Sequence, residues 1–203
     1  MKVIKSILAL IIVCAFSIGT LWYVHDITEE PIAQARENIK TAAYKQVFAD
    51  AASFNELPGF DTSLATVYIN NRGYKNVSID DVLVANNAAG EALGYAFIMT
   101  STEGYGGDIT LVLGIRNDAT INGIEFMSIN EATGLGMKAD STEFKSQFSG
   151  MNVSQVTSTK SKKQNDYEIE AISGATQTTD AVTNAVNAGL TYFGTLSGGA
   201  TNE

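Results

Sequence analysis

Four hydroxyls stand close together in Glu170-Ala171-Ile172-Ser173-Gly174-Ala175-Thr176-Gln177-Thr178-Thr179: those of Ser173, Thr176, Thr178 and Thr179. A strand pattern ends and a helical pattern begins within this stretch. The first amides of a helix lack intrahelical acceptors, and the helix dipole adds positive potential there, so phosphate is well held at such a place. The small residues Gly174 and Ala175 allow a ligand to approach the backbone. Ser and Thr at a helix start also serve as plain N-caps, and the residues alone leave both readings open.

A second segment, Glu131-Ala132-Thr133-Gly134-Leu135-Gly136, brings two glycines and an apolar side chain onto one loop. It suits either close backbone approach to a flat group or a simple turn between a strand and a helix. A third, Gly104-Tyr105-Gly106-Gly107-Asp108, reads as a turn between strands carrying one aromatic.

These loops need elements to hold them. Val82 to Asn86, Ala92 to Thr100, Asp108 to Arg116 and Ile121 to Ile129 are β-rich runs separated by short turn signals, which predicts neighbouring antiparallel strands. Leu64 to Asn70, Val153 to Thr157 and Tyr167 to Ile172 are read as further strands, the last two joined by a polar loop with Lys160, Lys162 and Lys163. Phe144 and Phe148 mark a short helix after Asp140. A terminal helix starts near Ser173 and buries Ala181, Val182, Ala185, Val186, Leu190 and Phe193.

Upstream, Ser6 to Val24 carries no charge, roughly 28 Å as a helix and enough to cross a bilayer. Lys2 and Lys5 precede the run and Asp26, Glu29 and Glu30 follow it. The positive-inside rule then puts the N-terminus in the cytoplasm and the remainder outside, with Trp22 and Tyr23 at the headgroup layer. A cleaved signal peptide would end its apolar core in small residues, whereas this one ends in Leu21-Trp22-Tyr23-Val24. Thr28 is read as the N-cap of an amphipathic helix with Pro31 in its first turn, running to about Ala52. The expected organisation is a transmembrane anchor at 1–25, a connecting helix at 26–57, an α+β domain at 58–196 with a mainly antiparallel sheet and flanking helices, and a flexible tail at 197–203.

Composition narrows the chemistry. Thirteen Lys and Arg against 22 Asp and Glu give a net charge of −9, which argues against nucleic acid as a partner. One cysteine, Cys14, and one histidine, His25, leave no cysteine-ligated cluster or multi-histidine metal site to build. No nucleophile–base pair is visible either. Redox chemistry, if present, falls to an organic cofactor.

Ser173-Gly174-Ala175-Thr176 followed by Thr178 resembles the flavinylation motif of the FMN-binding domain family. That family includes the G subunit of the Rnf complex and the C subunit of the sodium-pumping NADH:quinone reductase. Glu131 to Gly136 resembles its Glu-Thr-Pro-Gly-Leu-Gly loop, with Ala132 and Thr133 in place of Thr and Pro, and Gly104 to Asp108 matches another recurring stretch. Glu170 stands where the family often has Asp. The resemblance covers nearly the whole chain, and its length and single anchor are nearer the Rnf G subunit.

The resemblance implies FMN joined covalently to Thr176 by a phosphoester, placed there from FAD by an ApbE-type flavin transferase. It implies phosphate-side roles for Ser173 and Thr178, with Gly174 and Ala175 beside them. Glu131, Thr133, Gly134 and Leu135 would lie against the flavin, with Tyr105 as a lid. It further implies a relay in a membrane ferredoxin:NAD⁺ oxidoreductase complex coupled to Na⁺ or H⁺ transport. Electrons would pass from an iron–sulfur core subunit to a second covalent flavoprotein. A stand-alone flavinylated carrier for another extracytoplasmic reductase would carry the same motifs. A non-redox membrane-tethered binding protein would need the Ser-Gly-Ala-Thr turn to be only a helix cap.

Overall fold

The computed structural model describes residues 2–131 and 134–198. The expected tail therefore lies outside the described residues from 199 onward. The chain divides into two units at Thr41/Ala42.

The first unit is helix. α1 runs unbroken from Lys2 to Val47, with Pro31 inside it. Its apolar side chains from Leu10 to Val24 stand exposed, Phe16, Leu21 and Trp22 among them. The helix is long and apolar enough to cross a membrane. The hydroxyls of Ser17 and Thr20 donate back to the carbonyls of Val13 and Phe16, which satisfies them where no water is at hand. Thr28 does not cap a new helix. It lies mid-helix, its hydroxyl bonded to Val24 O at 2.7 Å, because nothing at residues 25–30 interrupts the helical ladder. The helix also stops at Val47 rather than near Ala52.

The second unit is built on a five-stranded antiparallel meander: β1 (Ser53–Glu56), β2 (Val77–Asn86), β3 (Ala92–Ser101), β4 (Ile109–Arg116) and β5 (Ile121–Ile129), in that spatial order. Alternation along the strands divides the side chains between two faces. Phe97 and Met99 of β3 with Leu111 and Leu113 of β4 enter the larger core. Ala96, Ile98 and Val112 point the other way, onto Ala43, Tyr44, Val47 and Phe48. The larger core is closed by α2 (Thr62–Asn70), α3 (Thr142–Ser146) and the 23-residue α4 (Thr176–Gly198). The six residues expected to be buried on the last helix are all buried. An α+β class with an antiparallel sheet is the observed architecture.

Two strand expectations are corrected, and one strand was not foreseen. Leu64 to Asn70 is helix, not strand. Asp61 caps it by accepting Leu64 N at 3.0 Å, and Ala65 and Ile69, one helical turn apart, are its buried residues. The β-branched content of this segment favours strand, but capping and burial period decide. The expected strand at Val153 to Thr157 shrinks to β6 at Thr157–Thr159, because the Asn187 side chain occupies the backbone of Val156. It accepts Val156 N at 2.7 Å and donates to Val156 O at 2.8 Å. β6 pairs in parallel with β7 (Glu168–Glu170) as a separate two-stranded sheet. β1, unforeseen, pairs with β2 and rests Phe54 against Tyr44.

Candidate functional site

The start of α4 is organised by Thr179. This fully buried hydroxyl accepts Ile172 N at 3.1 Å and donates to Ala175 O at 3.0 Å. It thereby ties the end of the β7 segment to the first turn. Gly174 makes the bend at φ +81°, and a Cβ there would meet Leu135 Cδ1 at 2.9 Å. Among the described residues, the amides of Thr176, Gln177 and Thr178 have no acceptor, the open helix end that an anion would occupy.

The four hydroxyls are not equivalent. Thr178 is buried, and its hydroxyl donates to Glu131 Oε1 at 2.9 Å. That bond uses its one proton, so as it stands Thr178 has none to offer a phosphate. Thr179 is spent on the cap. Thr176 and Ser173 are exposed. Among the described residues neither hydroxyl makes a hydrogen bond.

Thr176 stands on a cavity of about 260 Å³ lined by Tyr105, Leu135, Gly174, Ala175, Gln177 and Thr178. On its other side lies a polar groove of about 650 Å³ with Asn76, Glu103, Asp180 and Asn184. Ser173 opens onto a third hollow, with Lys138, Gln147 and Glu170. Tyr105, Leu135, Gly174, Ala175, Thr176 and Thr178 are thus brought together, and Ser173 is set apart. Gly134 is exposed and outside the cavity wall. Thr133 lies outside the described residues.

Glu131 is also off the cavity wall. Its carboxylate accepts Tyr105 N at 3.2 Å, Gly106 N at 3.1 Å and the Thr178 hydroxyl. Three residues that the sequence did not single out hold the other end of the same glycine loop. Gln177 Nε2 donates to Glu103 O at 3.1 Å, and the Glu103 carboxylate accepts Asn184 Nδ2 at 2.6 Å and Asn76 Nδ2 at 3.1 Å. The signal was present in part: Gln177 and Asn184 lie seven apart, two turns along one face of a helix.

An exposed hydroxyl at an anion-ready helix end, beside a cleft with one aromatic and one aliphatic wall, fits a phosphate-linked planar group. The cavity is smaller than the roughly 300–1,000 Å³ that encloses a drug-sized ligand, so such a group would remain partly open to solvent.

Residues 104–191, from the glycine loop into α4, match the FMN-binding domain family. Two solved structures share the fold, each with a TM-score of 0.51. NqrC of Shewanella oneidensis, at 16% identity, aligns over 76% of this chain and 88% of its own. The C subunit of the Na⁺-translocating NADH-quinone reductase of Parabacteroides distasonis, at 18%, aligns over 75% and 80%. The G subunit of the Na⁺-translocating ferredoxin:NAD⁺ oxidoreductase complex of Acetobacterium woodii is 30% identical over 96% of this chain and 93% of its own. The G subunit of the proton-translocating complex of Clostridium ljungdahlii is 27% identical over 94% and 91%. The chain belongs to the FMN-binding domain family, and within it to the G-subunit type.

Proposed function

We propose that the chain is the electron-carrying G subunit of a membrane ferredoxin:NAD⁺ oxidoreductase complex coupled to Na⁺ or H⁺ translocation, with FMN on Thr176 as a phosphoester. The observation that carries this reading is the Thr176 hydroxyl, exposed and uncommitted at the mouth of the Tyr105–Leu135–Gly174 cavity. The kinship with G subunits supplies the complex.

FMN bound here supplies one-electron chemistry that no side chain of this domain offers. The chain's own residues do the holding. The open amides of Gln177 and Thr178 would hold the phosphate, Thr176 Oγ1 would be the ester oxygen, and Tyr105 and Leu135 would wall the ring. Gly174 keeps the wall thin, since a side chain there would run into Leu135. In maturation by an ApbE-type transferase, Thr176 Oγ1 bonds to the flavin-side phosphorus of FAD. The pyrophosphate bond breaks, AMP leaves, and the hydroxyl proton passes to a base of the transferase. In this reading the domain lies outside the cytoplasm, the side that the charge flanks of α1 favour, and a covalent tether prevents loss of the flavin there. The partners in this reading are the iron–sulfur core subunits and a second covalent flavoprotein of the same complex.

Intact-mass spectrometry tests it. The chain expressed with a flavin transferase carries the mass of FMN less water, and Thr176→Ala carries none. An unmodified wild-type chain removes the electron-carrier reading, and flavin on another side chain removes the site.

A further inference from the structure

Glu131 resembles a loop residue expected to lie against the flavin, yet it is not part of the cavity wall and its carboxylate is held by three protein donors. We propose that Glu131 is a positioning residue: it locks the aromatic wall of the cavity to the helix turn that bears the flavin ester. This inference rests on FMN at Thr176.

Three segments meet at this carboxylate. Oε2 accepts Gly106 N, and Oε1 accepts both Tyr105 N and the Thr178 hydroxyl. The donors come from positions 25, 26 and 47 residues away in sequence, so no local turn preference explains them. Thr178 sits two residues past Thr176, and Tyr105 is itself a donor residue. One side chain therefore sets the distance between the ester-bearing turn and the ring that walls the cavity. Three of the roughly four lone-pair sites of a carboxylate are used in this way, which leaves little for a ligand. An amide in the same place would set an N–H group against at least one of these donors, so glutamine cannot replace it.

A second contact makes the arrangement testable without altering the carboxylate. Gly136 packs on the stem of Glu131, and a Cβ there would fall 2.7–2.8 Å from its Cγ, Cβ and Cδ. Gly136 needs no positive φ and lines no part of the cavity. Gly136→Ala displaces Glu131 by contact, and Glu131→Gln breaks its bonding by chemistry. A shared role requires a shared result.

The experiment uses the full chain in detergent, expressed with a flavin transferase and checked by intact mass for FMN. The two variants should retain the FMN increment and the far-UV circular dichroism of the wild type. Their flavin emission, quenched in the wild type by the Tyr105 ring, should rise several-fold toward that of Tyr105→Leu, and the midpoint potential should move in the same direction in both. Rescue is expected to be partial with Glu131→Asp, which keeps the charge and shortens the reach. If mass-verified Glu131→Gln shows wild-type emission and potential, the proposal is overturned. If the wild-type chain carries no FMN, the flavin reading has failed instead, and amide exchange then decides the clamp alone. Exchange at Tyr105 and Gly106 should speed up about tenfold or more in Glu131→Gln, and an unchanged rate overturns it.

Discussion

Two loops of the second unit gather their backbone amides onto a glutamate, and they differ in where that glutamate comes from. In the lysine-bearing loop between β6 and β7, Glu168 accepts Gln164 N at 2.7 Å and Asn165 N at 3.1 Å from four and three residues away. In the Gly104–Gly107 loop the acceptor is Glu131, 25 residues distant at its nearest partner. The first arrangement shapes a turn that would form without the rest of the domain. The second exists only when β5, the glycine loop and α4 are already together. A local carboxylate finishes a loop, and a distant one builds a site.

The largest effect should follow Glu131→Ala, which leaves two loop amides and a buried hydroxyl without their acceptor. Charge-assisted bonds of this kind imply a loss of about 3 kcal/mol in urea unfolding of the detergent-solubilised chain. Gly104→Ala should cost about 2 kcal/mol by the same measurement, since its Cβ would fall 2.1 Å from Gly107 O, a backbone atom that cannot step aside. Thr178→Val keeps the shape and removes one bond, for about 1 kcal/mol.

Glu168→Gln should leave the unfolding midpoint unchanged and speed amide exchange only around Gln164 and Asn165. The hydrogen bond from Gln164 N, helped by Asn165, holds the Glu168 carboxyl below its ordinary value of 4.5. A depressed carboxyl contributes above its unfolded value and loses that contribution as pH falls through its folded value. Protection of this loop, normalised for intrinsic rates, should therefore fade as pH falls below about 4.5. A loss of protection at Tyr105 and Gly106 in Glu168→Gln would erase the distinction between the two loops.

Much of this was legible in the sequence. β3, β4, β5 and the buried stripe of α4 follow from alternation and helical period, the three strands within a residue at each end, whereas β2 begins at Val77, five residues before the expected Val82. Where local preference and tertiary contact disagree, the reading failed. Thr66, Val67 and Ile69 favour strand, yet Asp61 and the pair Ala65–Ile69 make a helix. Val156 looks like a strand residue, but its backbone is taken by a side chain 31 residues on. At the site, the resemblance put Thr176, Tyr105 and Leu135 forward, and the structure sets the three on one cavity. They could not announce that Thr178 and Glu131 face each other, because a hydroxyl beside a phosphate position and one bonded to a carboxylate are written with the same letter.

The first turn of α4 belongs to a helix whose Ala181, Val182, Ala185, Val186, Leu190 and Phe193 lie inside the core. FMN esterified at Thr176, as proposed, would thus be mounted on a helix packed into the core, not on a swinging arm. Donor and acceptor centres out of tunnelling range cannot be approached by unwinding the mount. On the proposed reading the whole domain would have to travel, carrying its passenger in a fixed pose.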